Sequence, residues 1–230
     1  MSLAAPGLDA AFAVVLERDS ARRRHIVQAL AREQVAAEIF PAVDGLALTP
    51  AALAELRHRG YLTAGLESER SRGQIACALS HVRLLERAVE RGYRRTLVLE
   101  DDAELAPGFR RQLAERLREA PPDFDLLYLY NSGHPSSVLR EVEGWSHLRR
   151  PVYPLGTVGY VVSHRGAEAV LRLVKPIYFT IDDMLAEQVQ EGRLAAYSVV
   201  PALVGESRCF ASNIWGSGPV AARLRGEVSA

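Results

Sequence analysis

The residues best placed to do chemistry are three consecutive acids, Glu100-Asp101-Asp102, which close the apolar run Thr96-Leu97-Val98-Leu99. Burying carboxylates without a counter-charge is costly, so such a cluster belongs at an exposed strand end, paired or on a metal. In an open α/β sheet that end is also where ligands bind. Magnesium and manganese prefer oxygen ligands and keep waters, so one or two carboxylates plus substrate phosphates complete their shell. The chemistry indicated is a divalent cation, Mn2+ or Mg2+, that holds a diphosphate. Alternate residues of an extended segment point the same way, so Glu100 and Asp102 share a target and Asp101 faces elsewhere. Asp102 and Glu100 are therefore the metal-ligand candidates. The plain structural alternative is a solvated strand end with Asp102 capping the next turn.

A second acidic pair, Asp182-Asp183, follows Thr180-Ile181. Acids at a helix start satisfy free amides and the dipole, and Thr180 and Asp183 have capping-box-like spacing. At the mouth of the same sheet, one of them would instead serve as a general base. Arg18 and Arg22 flank the end of the first strand and the start of its helix, where a phosphate is favoured. The alternative is a basic solvated face, because Arg23 and Arg24 follow. Ser80-His81 lie mid-helix, where a histidine either packs or binds a ligand. Gly156 to Tyr160 allows close backbone approach to a ligand, although glycine in a strand also marks bulges. Cys77 and Cys209 are far apart, fit no metal spacing and read as ordinary thiols of a reducing compartment.

The elements that must position these groups alternate. Phe12 to Leu16 reads as a buried strand, followed by a helix capped by Ser20 with Ile26, Ala29 and Leu30 on its apolar face. Val35 to Phe40 is a second strand, Ala42-Val43-Asp44-Gly45 a turn, and Thr49-Pro50 a helix start that runs to Gly60. The longest helical pattern, 74–91, puts Ile75, Leu79, Val82, Leu85 and Val89 on one face and leads into the strand 96–99. A helix then begins at Pro107-Gly108, and a strand runs from Asp125 to Tyr130. The stretch 131–150 is polar and aperiodic, a long loop or small hairpin of the kind that binds ligands. Strand 156–162, a helix capped by Ser163, a helix from Thr180 to Glu191 and one last strand, 195–204, complete the pattern. The class is α/β with a largely parallel sheet flanked by helices.

Composition excludes several functions. There are 28 basic and 28 acidic residues, so nothing in the net charge points to nucleic acid. Lys175 is the sole lysine, and arginine suits phosphates and carboxylates. The stretch 1–11 has no basic region before an apolar core, so a signal peptide is not expected, and no stretch approaches the roughly 20 apolar residues of a membrane span. Gly-x-Gly-x-x-Gly, Walker A and Gly-x-Ser-x-Gly patterns are absent, so dinucleotide binding, P-loop phosphoryl transfer and elbow-type hydrolysis are unsupported.

Four blocks of sequence carry a resemblance: Val14-Val15-Leu16-Glu17-Arg18 with Arg22; Ala42-Val43-Asp44-Gly45; Gly73-Gln74-Ile75-Ala76-Cys77-Ala78-Leu79-Ser80-His81 followed by Leu99-Glu100-Asp101-Asp102; and Gly156 to Ser163 followed by Asp182-Asp183. In this order they resemble glycosyltransferase family 25, the lipooligosaccharide galactosyltransferase type, whose distant relatives modify collagen. Pro201 to Val204 and Ser212-Asn213-Ile214 resemble its C-terminal segment, so the likeness runs from Phe12 to Ile214. Val15 stands where the family often has Asn, and Gln74 where it often has Glu; both bear on donor contacts.

The resemblance implies a single GT-A domain over 1–230, with 1–11 a flexible N-terminus, 131–150 an acceptor-side loop and 205–230 irregular. It also implies inverting transfer of a hexose from a UDP-sugar, UDP-galactose or UDP-glucose, to a saccharide, lipid-linked or protein acceptor. A cytoplasmic enzyme, peripheral at the inner face of the membrane for a lipid-linked acceptor, is expected. The acids 100–102 then correspond to the element that binds metal and donor diphosphate. Arg18, Arg22, Asp44, Gly45, Gly73, Gln74, Ser80, His81, Asp101, Gly156, Thr157 and Tyr160 are the donor-site candidates. Of Asp182 and Asp183, Asp183 is the favoured base. A metal-dependent phosphatase lacks its Asp-x-Asp-x-Thr arrangement here, and a binding module that lost its chemistry is opposed by the intact acids.

Overall fold

The computed structural model describes residues 7–210. Its first half runs β1 (Ala10–Val15), α1 (Ser20–Arg32), β2 (Glu38–Pro41), α2 (Pro50–His58), α3 (Leu66–Glu69), α4 (Arg72–Glu90), β3 (Arg95–Glu100), β4 (Ala103–Leu105) and α5 (Phe109–Glu119). Its second half runs β5 (Leu126–Tyr128), β6 (Leu139–Arg140), β7 (Leu148–Pro151), β8 (Gly159–Ser163), α6 (His164–Val174), α7 (Ile181–Gln190), β9 (Ala196–Val199) and β10 (Val204–Glu206).

Eight strands form one sheet in the order β2-β1-β3-β8-β5-β9-β7-β6. β2, β1, β3, β5 and β9 run the same way, while β8 is antiparallel to both its neighbours and β7 is antiparallel to β9. The alternation of side chains splits the core between two faces. Phe12, Val14, Val98, Tyr128 and Tyr160 pack with α2, α4, α6 and α7 on one side. Ala13, Val15, Leu97, Leu99, Leu127 and Val161 pack with α1 and α5 on the other. This is the Rossmann-like, mostly parallel α/β sheet with helices on both faces that the strand–helix pattern implies.

Local signals fix the helix starts that matter for the site. Ser71 and Gln74 form a reciprocal capping box at α4, and the Ser163 and Thr49 hydroxyls cap α6 and α2. At α1 the cap is Asp19, one residue earlier than expected, whose carboxylate accepts from the Arg22 amide. Ser20 is the first helical residue instead.

Of the two alternatives for 131–150, the structure shows the hairpin, in which β6 and β7 pair and join the main sheet through β9. Three expectations are corrected. The single strand over 195–204 is two: β9 ends at Val199, because Pro201 offers no N–H to a ladder, and β10 pairs antiparallel with β4. Of the stretch 1–11 expected to be flexible, 1–6 lie outside the described residues, whereas Asp9 is bound to the backbone amides of Arg94 and Arg95 and Ala10 begins β1. Of the C-terminal stretch 205–230 expected to be irregular, Gly205 and Glu206 belong to β10; residues 211–230, and with them Ser212-Asn213-Ile214, lie outside the described residues.

Candidate active site

β3 delivers Glu100 on the face that carries Val98, toward α4. There its Oε1 accepts from the Thr157 hydroxyl at 2.5 Å and lies 3.2 Å from His81 Nε2. The chain turns directly after Glu100, so the strand alternation stops. Arg22 Nη1 donates to Asp101 Oδ1 at 2.5 Å and to Asp102 Oδ2 at 2.9 Å. Alternation therefore misplaced these acids: Asp101 and Asp102 share one guanidinium from the first turns of α1, and Glu100 faces the opposite helix layer. Ser207 N, just past β10, donates to the Asp102 carbonyl at 2.8 Å and fixes the turn from above.

The cluster carries more negative charge than it neutralises. Burial, reinforced by the Glu100 charge, pushes the Asp102 carboxyl up to about 7 against the pull of Arg22. Burial also raises Asp101. For Glu100 burial acts upward too, but the hydrogen bond and charge of His81 win and hold it below the usual range. Asp102 Oδ1 is buried with no hydrogen-bond partner among the described residues. An orphaned buried carboxylate oxygen among three acids fits a cation.

Beside the acids, a cavity of about 290 Å3 opens between the end of β1 and α4, the lower end of the range for small-molecule sites. Arg18, Asp44, Gly45, Gly73, Ser80, His81, Glu100 and Asp101 all line it. Its wall is built by specific contacts. Asp44 Oδ1 accepts from Leu46 N at 2.9 Å to cap a short 3-10 turn, and its Oδ2 accepts from Arg18 Nε at 2.7 Å. The Ser80 hydroxyl accepts from Val43 N at 2.8 Å and donates to the Ala76 carbonyl at 2.7 Å, which pins that turn to α4. Gly45 suits this close docking, since a Cβ would lie 3.0 Å from the Arg72 carbonyl and Gly73 N and the backbone there would have to give by a few tenths of an ångström. Gln74 is outside the cavity lining, because its Oε1 accepts from Ser71 N in the capping box.

The segment before β8, Gly156 included, lies outside the cavity lining. Gly156 has φ +88° and a Cβ there would lie 2.5 Å from Tyr130 Cε1, so glycine is demanded twice. Thr157 and Tyr160 do not line the cavity; they orient Glu100 and His81, with the Tyr160 hydroxyl 3.0 Å from His81 Nδ1.

The second acidic pair divides. Asp183 Oδ1 accepts from the Tyr153 hydroxyl at 3.0 Å and its Oδ2 from the Thr180 hydroxyl at 2.6 Å, so both oxygens are engaged. Asp182 is the one whose field reaches Glu100, Cys77 and Tyr128. Burial raises its carboxyl above the ordinary range, and the charges of Asp183 and Glu100 add to that. The structure thus brings Asp182 into the field of the acidic cluster and ties Asp183 to the 131–153 excursion.

Three groups escaped the sequence reading. Tyr153 and Tyr128 approach the acidic pair only through the tertiary fold. Cys77 lies four residues before His81 and faces it across one helical turn, a signal legible in the sequence had cysteine been matched with histidine rather than with cysteine.

The chain is similar in sequence to several known proteins. Procollagen galactosyltransferase 1 of Danio rerio is 31% identical over 176 residues, which is 72% of this chain and 29% of that protein. A glycosyltransferase 25 family member of Drosophila melanogaster is 29% identical over 216 residues, 86% of this chain and 35% of that one. Inactive glycosyltransferase 25 family member 3 of Mus musculus is 33% identical over 175 residues, 72% of this chain and 29% of that one. The chain spans 29–35% of the length of these relatives. Among solved structures, A197 from STIV aligns over 89% of this chain and 87% of that one, with 11% identity and a TM-score of 0.47. A glycosyltransferase involved in glycosylation of the major capsid of PBCV-1 aligns over 72% and 66%, with 11% identity and a TM-score of 0.36. The family model described as "Glycosyltransferase family 25 (LPS biosynthesis protein)" matches residues 9–185, a stretch that contains Arg22, the acids 100–102 and the pair 182–183, and the chain belongs to that family.

Proposed function

We propose that this chain is a divalent-cation-dependent, inverting glycosyltransferase that moves a hexose, galactose or glucose, from a UDP-sugar to a hydroxyl acceptor. The observation that carries the reading is the orphaned, buried Asp102 Oδ1 within a cluster of three acids that one guanidinium only partly neutralises. Asp102 would hold Mn2+ or Mg2+, with the Glu100 charge acting on the same ion from the opposite helix layer, and such an ion's chemistry is to neutralise the charge that develops on a leaving diphosphate. Arg22, at the first turns of α1, is placed to exchange its carboxylate contacts for phosphate oxygens, with Arg18 at the cavity rim. The cavity between the 42–46 turn and α4 takes the nucleoside.

The acceptor oxygen attacks the anomeric carbon as the bond to UDP breaks, and its proton passes to Asp182. A carboxylate whose affinity for protons is raised by burial is a better general base than one with both oxygens in hydrogen bonds, which is why Asp182 takes this role over Asp183. The 131–150 hairpin lies on the side of Asp183 through Tyr153 and would meet the acceptor, a saccharide, lipid-linked glycan or protein side chain. No helix among the described residues is long and apolar enough to cross a membrane. Work in the cytoplasm, at the inner membrane face for a lipid-linked acceptor, is part of the proposal.

The test is incubation with UDP-galactose or UDP-glucose and Mn2+, with and without a chelator, while UDP release and thermal stabilisation are followed. Release that stops on chelation is expected. Stabilisation by UDP and metal with no release across a broad set of acceptors would instead identify a binding module. The absence of both release and stabilisation would overturn the reading.

A further inference from the structure

Cys77 and His81 stand one helical turn apart on α4, and Glu100 faces them from the end of β3. The thiol sulfur, a ring nitrogen and a carboxylate oxygen of these three residues lie within 4.8 Å of one another. The His81 ring is fixed from both sides. Its Nδ1 is 3.0 Å from the Tyr160 hydroxyl, its Nε2 is 3.2 Å from Glu100 Oε1, and the ring stacks on Tyr160 with centroids 5.8 Å apart. With the Nδ1 side held by the Tyr160 hydroxyl, a cation can take the place of the Nε2 proton that otherwise bridges to Glu100, the arrangement that outer partners give metal-bound histidines. Thr157 donates to the same Glu100 oxygen and so orients the third group. Cys77 is partly exposed and lines the cavity, so a cation and a water can reach it.

We propose that Cys77, His81 and Glu100 form a site for a zinc-type divalent cation, distinct in ligand chemistry from the oxygen-only site at Asp102. One sulfur, one nitrogen and one carboxylate oxygen, with a fourth position open to the cavity, are all ligand types that zinc takes in three-ligand sites, whereas magnesium and manganese take oxygen sets. Rotation about the side-chain torsions brings ligand atoms at the observed spacing onto bonds of about 2.0–2.3 Å. Binding releases the thiol proton to solvent. Glu100 belongs to both sites, so zinc here withdraws it from Asp102 and weakens UDP binding; that consequence rests on the function proposed above, whereas the site itself does not.

The experiment is a titration of the full chain with Co2+ as the spectroscopic substitute for zinc. A near-ultraviolet thiolate-to-cobalt charge-transfer band is expected, bleached by added Zn2+. Cys77→Ser should abolish the band, Cys209→Ser should keep it, and Tyr160→Phe should keep it with affinity reduced about tenfold. Far-UV circular dichroism of each variant establishes that it is folded. Asp102→Asn should retain the band while losing Mn2+-dependent UDP binding, so the two readings fail separately. Cobalt binding without the band, a band that survives Cys77→Ser, or no cobalt binding would each overturn the proposal.

Discussion

Arg22 Nη1 lies 2.9 Å from Asp102 Oδ2, a contact between the first turns of α1 and the turn after β3 that spans 80 positions of sequence. The same nitrogen also holds Asp101, and all three side chains are at most 13% exposed. Removing one member of a buried ionic group strands the others. Arg22→Met is therefore expected to lower unfolding free energy by about 3 kcal/mol, as read from urea denaturation. Arg22→Lys should not restore UDP affinity, because an ammonium lacks the planar fork. A neutral effect of Arg22→Met on stability would contradict the bridging role.

The acidic pair gives a kinetic prediction. Asp182→Asn should reduce turnover about 100- to 10,000-fold, the usual contribution of a positioned base, with UDP affinity little changed. Asp183→Asn should act mainly on stability, by about 1 kcal/mol, through the lost Tyr153 and Thr180 hydrogen bonds. Single-turnover rates of the two variants decide this. A larger kinetic loss for Asp183→Asn would reverse the assignment.

The choice between these two aspartates shows where the sequence stops. Both sit in the first turn of one helix, and the chain around them treats them alike. What separates them is Tyr153, 30 positions away, and a buried field from Glu100 on another strand. The same holds for the acids 100–102. Their place at a strand end was legible from the apolar run, but the partition between His81 and Arg22 depends on where the strand stops. Caps such as Thr49 and Ser163 were legible because they are local. The reversal of β8 between β3 and β5 was not, since register in a sheet is decided by long-range pairing.

Gly156 offers a steric prediction. Gly156→Ala must adopt φ +88° and bring a Cβ to 2.5 Å from the Tyr130 ring, so destabilisation above about 1 kcal/mol is expected. Tyr130→Ala in the same chain should recover the contact part of the loss and leave the backbone part. The double-mutant cycle, read as melting temperature, measures the coupling. Additive effects would mean that the ring does not set the constraint.

Asp9 gives a pH dependence remote from the site. Burial acts to raise its carboxyl, but the Arg94 side chain and the Arg95 and Arg94 amides outweigh it and hold the group below its ordinary 3.8. A group lowered by folding contributes stability that is present above the unfolded value and lost as pH falls through the folded one. Unfolding free energy should therefore decline as pH drops below about 3.8, and Asp9→Asn should flatten that limb while lowering stability at neutral pH. An unchanged acid limb in the variant would remove Asp9 as a contributor.

The decisive measurement is calorimetric titration of UDP into the wild-type chain and into Asp102→Ala, each with Mn2+ and with chelator. Metal-dependent binding in the wild type that disappears in Asp102→Ala, with the circular dichroism spectrum unchanged, is the expected result. Equal UDP affinity in the two proteins, or wild-type binding that ignores the chelator, would contradict a donor site built on the Glu100-Asp101-Asp102 cluster.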